Sequence, residues 1–161
     1  MCEKDKAITI LLGNGLTVSA AESCTGGMVS AAFTDYPGIS SVFLEGVVTY
    51  ANEAKIRLGV TNASLKAHGA VSRQVAGEMA DAVRKRAGSM FGISTTGIAG
   101  PGGGTEKKPV GLVYVGISTE KGTKTYALRL CGDRAAVRRK TVQAVFHFLY
   151  KELEEKYHGE N

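Results

Sequence analysis

Ser23 opens the segment Ser23-Cys24-Thr25-Gly26-Gly27, which follows the strand-like run Leu16-Thr17-Val18-Ser19-Ala20-Ala21-Glu22 and precedes the small, apolar run from Met28 to Phe33. A hydroxyl where a strand ends can project from a sheet edge. The N–H groups of Thr25, Gly26 and Gly27 at a helix start can stabilise negative charge, either a bound phosphate or an oxyanion formed in acyl transfer. Ser23 or Thr25 reads equally as a simple N-cap. Cys24 stands where a helix N-terminus can activate a thiol. Among His68, His147 and His158 no Cys/His/Asn arrangement is legible, so Cys24 is expected to be a small buried residue.

A second candidate is the stretch from Thr95 to Thr105, with five of the chain's 21 glycines in eleven residues. It lacks the GxxxxGK[ST] phosphate fingerprint, and Pro109 follows where a dinucleotide-binding helix would have to start. It reads as a plain flexible loop or as a surface of backbone N–H groups beside a ligand. Lys55 falls near the start of a short helix, where it reads as a solvated lysine by itself, and Tyr50 and Asn52 read as a strand end and a helix cap.

The elements that must position these residues follow from periodicity and punctuation. Residues 4–13 predict a helix stopped by Gly13-Asn14-Gly15, and a second helix after Gly27 ends near Asp35-Tyr36-Pro37-Gly38. Val42 to Tyr50 predicts a strand, and Glu53 to Leu58 a short helix capped by Asn52 and closed by Gly59. Ser72 starts a longer helix with Val75, Met79, Ala82 and Val83 on one face, ending in a water-facing Arg84-Lys85-Arg86 before Gly88. Met90 to Ile98 predicts a strand, Val110 to Ser118 and Lys124 to Leu130 a hairpin, and residues 133–157 a long helix with Val137, Thr141, Ala144, Val145, Phe148 and Leu149 at helical spacing. Strands alternating with helices and then a hairpin imply an α/β protein, a three-layer α/β/α sandwich with a mixed sheet.

Composition bounds the function. With 161 residues the chain has the length of one domain, and 43% hydrophobic with 22% charged residues excludes wholesale disorder and coiled coil. Glycine, 21 of 161 residues, stands well above the usual ~7%. The net charge of +5 mildly favours acidic ligands. Cys2, Cys24 and Cys131 have no CxxC or metal-like spacing, so neither a disulfide framework nor a metal is expected, and a reducing cytosol fits. The charged start, Met1 to Lys6, lacks a signal-peptide pattern, and no apolar run reaches the roughly 18 residues of a membrane span.

Five segments carry a resemblance: Ala21-Glu22-Ser23-Cys24-Thr25-Gly26-Gly27, Thr49-Tyr50-Ala51-Asn52 with Lys55, His68-Gly69-Ala70-Val71-Ser72, Gly97-Ile98-Ala99-Gly100-Pro101 with Gly103-Gly104, and Lys108-Pro109-Val110-Gly111. In this order, and over about residues 5–150, the chain resembles the CinA C-terminal domain family, which includes the nicotinamide-nucleotide amidases. The resemblance implies hydrolysis of the carboxamide of nicotinamide mononucleotide (NMN), without metal or cofactor, in pyridine-nucleotide salvage. It implies Ser23 as nucleophile, Lys55 as its base and Tyr50 as a neighbour, a variant of serine catalysis that requires a lysine with a lowered pKa.

On this reading Ser23 Oγ and Lys55 Nζ lie within hydrogen-bond reach. Thr25, Gly26 and Gly27 meet the oxyanion, and Gly97, Ala99, Gly100, Gly103, Gly104, Arg134 and Arg138 hold the phosphate, or the two glycine-rich loops exchange roles. Cys131-Gly132-Asp133-Arg134 departs from the aromatic lead-in that the family places before Gly-Asp-Arg. The family's domain also occurs fused behind a larger N-terminal domain, and the resemblance implies a stand-alone form here. Two other readings remain: a nucleotide- or protein-binding module without turnover, and nucleic-acid binding through Arg134, Arg138, Arg139 and Lys140, which more simply describe the exposed face of the last helix. No nucleic-acid or membrane partner is expected, and a homo-oligomer is left open.

Overall fold

A computed structural model describes residues 1–157, so His158 lies outside the described residues. Five strands, β1 (Val18–Glu22), β2 (Phe43–Val48), β3 (Phe91–Gly97), β4 (Leu112–Thr119) and β5 (Gly122–Arg129), form one sheet in the order β2-β1-β3-β4-β5. β1 pairs in parallel with β2 and β3, whereas β3–β4 and β4–β5 are antiparallel, so the sheet is mixed as the pattern of elements implies.

Six helices cover it: α1 (Glu3–Asn14), α2 (Met28–Thr34), α3 (Asn52–Leu58), α4 (Asn62–His68), α5 (Arg73–Ala87) and α6 (Arg134–Tyr157). The side chains of β1 divide between two cores. Val18 and Ala20 enter the larger one with Ile8, Leu11, Phe33, Phe146 and Leu149 from α1, α2 and α6. Ala21 enters the other with Val60, Val75, Met79 and Val83. Every residue of β1 is buried, as expected of a central parallel strand covered on both faces. The result is three layers, with Ser23 leaving β1 between them.

Local chemistry explains most boundaries. Ser72 caps α5 by accepting from Val75 N–H at 3.2 Å, and Gly88 ends it in the left-handed region at φ 67°. Three expectations change. Asn52 is not a cap: Ala51 holds that position without a side-chain bond, and Asn52 is the first residue of α3. Helix α4 has no sequence counterpart above, because none of its residues is buried and apolar periodicity is absent; Thr61 caps it by accepting from Ser64 N–H at 3.1 Å. Arg84 does not face water: its side chain is 17% exposed, with Nε donating to Ser118 Oγ at 3.0 Å. Only Lys85 and Arg86 of that run are exposed, pairing with Asp81 and Glu45.

The α5–β4 contact is close enough to require glycine. A Cβ at Gly116 would stand 2.5 Å from Ser94 Oγ and 2.6 Å from the Ala76 carbonyl oxygen. Gly116→Ala is therefore expected to lower the unfolding free energy by about 1–3 kcal/mol, the usual range for overpacking, measured by urea denaturation.

Candidate active site

Five residues, Ser23 to Gly27, turn the chain from β1 into α2. The turn is tied to the sheet through Ser23 N–H, which donates to Thr95 O at 2.9 Å, and closed by Gly26 N–H, which donates to Ser23 O at 3.1 Å. Glu22, fully buried, faces the start of α2. Its Oε1 accepts from Thr25 Oγ1 at 2.6 Å and Val29 N–H at 2.8 Å, and its Oε2 accepts from Ser30 N–H at 3.0 Å and Ser30 Oγ at 2.7 Å. Among the described residues the N–H groups of Cys24, Thr25 and Gly27 have no acceptor. The sequence expectation that the amides of Thr25 to Gly27 all face a ligand thus narrows: that of Gly26 is taken within the turn.

Lys55 comes from α3, beside the chain that leaves β2 at Thr49 and Tyr50. It is 1% exposed and the only buried lysine among the described residues. Its Nζ stands 3.0 Å from Ser23 Oγ, 2.7 Å from Thr49 O and 3.0 Å from Tyr50 O. Burial lowers its pKa below the ordinary lysine value. The three neighbours also decide what the neutral amine does. Two carbonyl oxygens can only accept, so the two N–H bonds of a neutral amine go to Thr49 and Tyr50, and its lone pair faces the Ser23 hydroxyl. Such a lysine can take the serine proton.

Ser23 and Lys55 open on a cavity of about 280 Å³. Of the residues expected at the site, Tyr50, Gly97, Ala99, Gly100, Gly103 and Arg134 also line it. Arg134 spans its mouth, donating to Gly100 O at 2.9 Å and to the Tyr50 hydroxyl at 3.0 Å. Thr25, Gly26, Gly27, Gly104 and Arg138 do not line it. Arg138 supports the turn instead, its Nε donating to Cys24 O at 3.0 Å and its Nη2 to Thr25 O at 3.2 Å. It also lines a neighbouring cavity of about 490 Å³ that shares Ala99 and Arg134 with the first. Gly100, at φ 84°, and Gly104 lie against Val110, so packing as well as ligand access demands small residues in this loop.

Sequence reasoning gave Asn52, Ala70, Val71 and Thr96 no place in the wall that they line. The signal for Ala70 and Val71 lay in the His68-Gly69-Ala70-Val71-Ser72 segment. Thr96 anchors that segment to β3 by donating to Ala70 O at 2.8 Å.

Other side chains near the site have settled roles. Cys24 is 5% exposed, and burial pushes its thiol pKa up to about 11, so it is the buried small residue expected and not a thiolate. Of the four basic residues at the start of α6, Arg134, Arg138 and Lys140 donate to the protein's own oxygens, Lys140 to Cys131 O at 2.6 Å. Among the described residues no three His, Cys, Asp or Glu side chains gather as a metal site, and no helix is long and apolar enough to cross a membrane.

Known proteins share this architecture and sequence. The structure of the competence/damage inducible protein CihA from Agrobacterium tumefaciens is 40% identical, with a TM-score of 0.89 over 94% of this chain and 95% of that one. A competence-damaged protein (CinA) superfamily structure from Klebsiella pneumoniae is 31% identical, with a TM-score of 0.91 over 95% of this chain and 96% of that one. A Clostridium acetobutylicum protein with the provisional name competence-damage inducible protein is 52% identical over 145 residues, 89% of this chain and 35% of that protein. A Clostridium perfringens relative of the same name is 55% identical over 146 residues, 90% of this chain and 35% of that protein. The chain thus spans about a third of the length of the curated relatives that it matches. The family model for the CinA C-terminal domain matches residues 3–153, and with it the chain belongs to the CinA C-terminal domain family.

Proposed function

We propose that this chain is an amidohydrolase that converts NMN to nicotinic acid mononucleotide and ammonia, a step of pyridine-nucleotide salvage in the cytoplasm. The observation that carries the reading is the 3.0 Å approach of Ser23 Oγ to a buried lysine amine whose other two neighbours are carbonyl oxygens. Lys55 removes the hydroxyl proton as Ser23 Oγ bonds to the carboxamide carbon. The oxyanion that forms meets the N–H group of Cys24, which lines the cavity and has no acceptor of its own. Protonated Lys55 then gives its proton to the amide nitrogen, the C–N bond breaks and ammonia leaves. Water attacks the resulting ester, with Lys55 again taking the proton and then giving it to Ser23 Oγ as the ester C–O bond breaks, which frees the carboxylic acid and restores the hydroxyl and the neutral amine. Arg134, at the junction of the two cavities, and Arg138 beyond it suit the phosphate end of the nucleotide. The mechanism uses only these side chains and backbone groups.

The test is ammonia release from NMN by the purified protein, with nicotinic acid mononucleotide identified by chromatography. Stoichiometric formation of both products is the expected result. Binding of NMN without either product would overturn the amidase and favour the non-catalytic binding module.

A further inference from the structure

Glu22 touches nothing in the cavity, yet its carboxylate is fully buried beside the nucleophile and accepts four hydrogen bonds. Two come from the first-turn amides of α2 and two from hydroxyls of Thr25 and Ser30. We propose that Glu22 is a positioning residue, whose carboxylate fixes the Ser23-Cys24-Thr25 turn against α2 and so sets the direction of Ser23 Oγ.

The observations form a closed circuit. Thr25 Oγ1 gives its proton to Glu22, so the 2.8 Å bond between the Thr25 and Thr95 hydroxyls is donated by Thr95. Thr95 O in turn accepts from Ser23 N–H. The nucleophile is therefore held through its own amide by β3, through Thr25 by Glu22, and from outside by Arg138 on the carbonyls of Cys24 and Thr25. Glu22 also occupies the positive end of α2, which leaves the unpaired amides of the turn, and not those of the helix, to face a reacting group. Space for this arrangement is reserved on the neighbouring strand, where a Cβ at Gly46 would overlap Ser30 Oγ.

Glutamine has the shape of glutamate but replaces one acceptor oxygen with an NH2. Whichever way the amide turns, its NH2 meets either Val29 N–H or Ser30 N–H, two donors facing each other. Glu22→Gln should thus loosen the turn without opening a cavity. The proposal rests on the amidase reading for the substrate alone, so the primary readout is substrate-free: the rate at which a fluorophosphonate labels Ser23, forming the Oγ–P bond with loss of fluoride, followed by mass spectrometry.

Glu22→Gln is expected to label about tenfold to a hundredfold more slowly than wild type, the usual consequence of misplacing a reacting group. The kcat on NMN falls by a similar factor with KM nearly unchanged, and the pH midpoint of labelling, set by Lys55, does not move. Thr25→Val, which keeps the shape and removes the hydroxyl, shifts the rate in the same direction and carries the test if Glu22→Gln does not fold. Wild-type labelling rates in folded Glu22→Gln or Thr25→Val overturn the positioning role. If wild-type Ser23 labels but NMN is not hydrolysed, the substrate is overturned and the positioning role stands on the labelling rates.

Discussion

Lys55→Met is expected to lower kcat for NMN hydrolysis by about 10³- to 10⁴-fold, with KM changed far less. Methionine fills the same buried channel but offers no lone pair, so Ser23 keeps its place and loses its base. The pH profile makes the test specific. On the proposed mechanism only the neutral amine can take the serine proton, so wild-type kcat/KM is expected to rise with pH as Lys55 deprotonates. Burial moves that midpoint below the ordinary lysine value. In Lys55→Met the residual rate should lose this rise. A variant that retains the same midpoint would assign the ionisation to another group and remove Lys55 from the mechanism. Lys55→Arg should be nearly as inactive, because a guanidinium remains charged throughout the accessible range.

Ser23→Ala is expected to reduce turnover by about 10⁴-fold or more, and Ser23→Ala/Lys55→Met to be no worse than Ser23→Ala alone. On the proposed mechanism nucleophile and base act as one unit, so once the hydroxyl is gone the amine has no proton to take. The measurement is a double-mutant cycle on kcat, with NMN affinity followed by calorimetry. Affinity should survive in Ser23→Ala, since that hydroxyl supplies little of the nucleotide's binding. Losses that multiply in the double variant would mean that the two residues serve separate steps.

The sequence made the site legible wherever chemistry leaves a local mark. Small and β-branched residues leading to Ser23, followed by Gly26-Gly27, marked a strand, a turn and a helix, and the structure has all three. Ser72, Gly59 and Gly88 marked helix ends through their own backbone demands. What escaped was fixed by partners distant in the chain. Glu22 looked like an ordinary strand end, since nothing local shows that Thr25, Val29 and Ser30 will all turn toward it. Arg138 looked like a candidate phosphate ligand, and its additional bracing of the turn escaped, because the carbonyls it braces lie more than a hundred positions earlier, with a separation of 114 for Cys24. Phe148, at helical spacing, packs partly buried against the core and stacks on Tyr126 of β5 with ring centroids 3.9 Å apart, whereas Phe146, which that spacing left out, is 2% exposed. Helix α4 escaped because none of its residues is fully buried, Leu65 alone packing partly buried against the second core.

The clamp of Arg138 on the nucleophile turn also bears on how the protein comes into being. Ser23 and Lys55 are 32 positions apart, whereas Arg138 reaches back 113 positions to Thr25. On the ribosome, Ser23 and Lys55 are therefore both made well before α6. Thr95, which anchors Ser23 N–H, arrives between the two. A chain that ends before Arg138 has Ser23 and Lys55 but lacks both the Arg138 brace on the turn and the α6 side chains, Phe146 and Leu149 among them, of the larger core. On the proposed mechanism, hydrolytic competence thus waits on α6, and β1, made early, waits for both the strand and the helix that complete its surroundings.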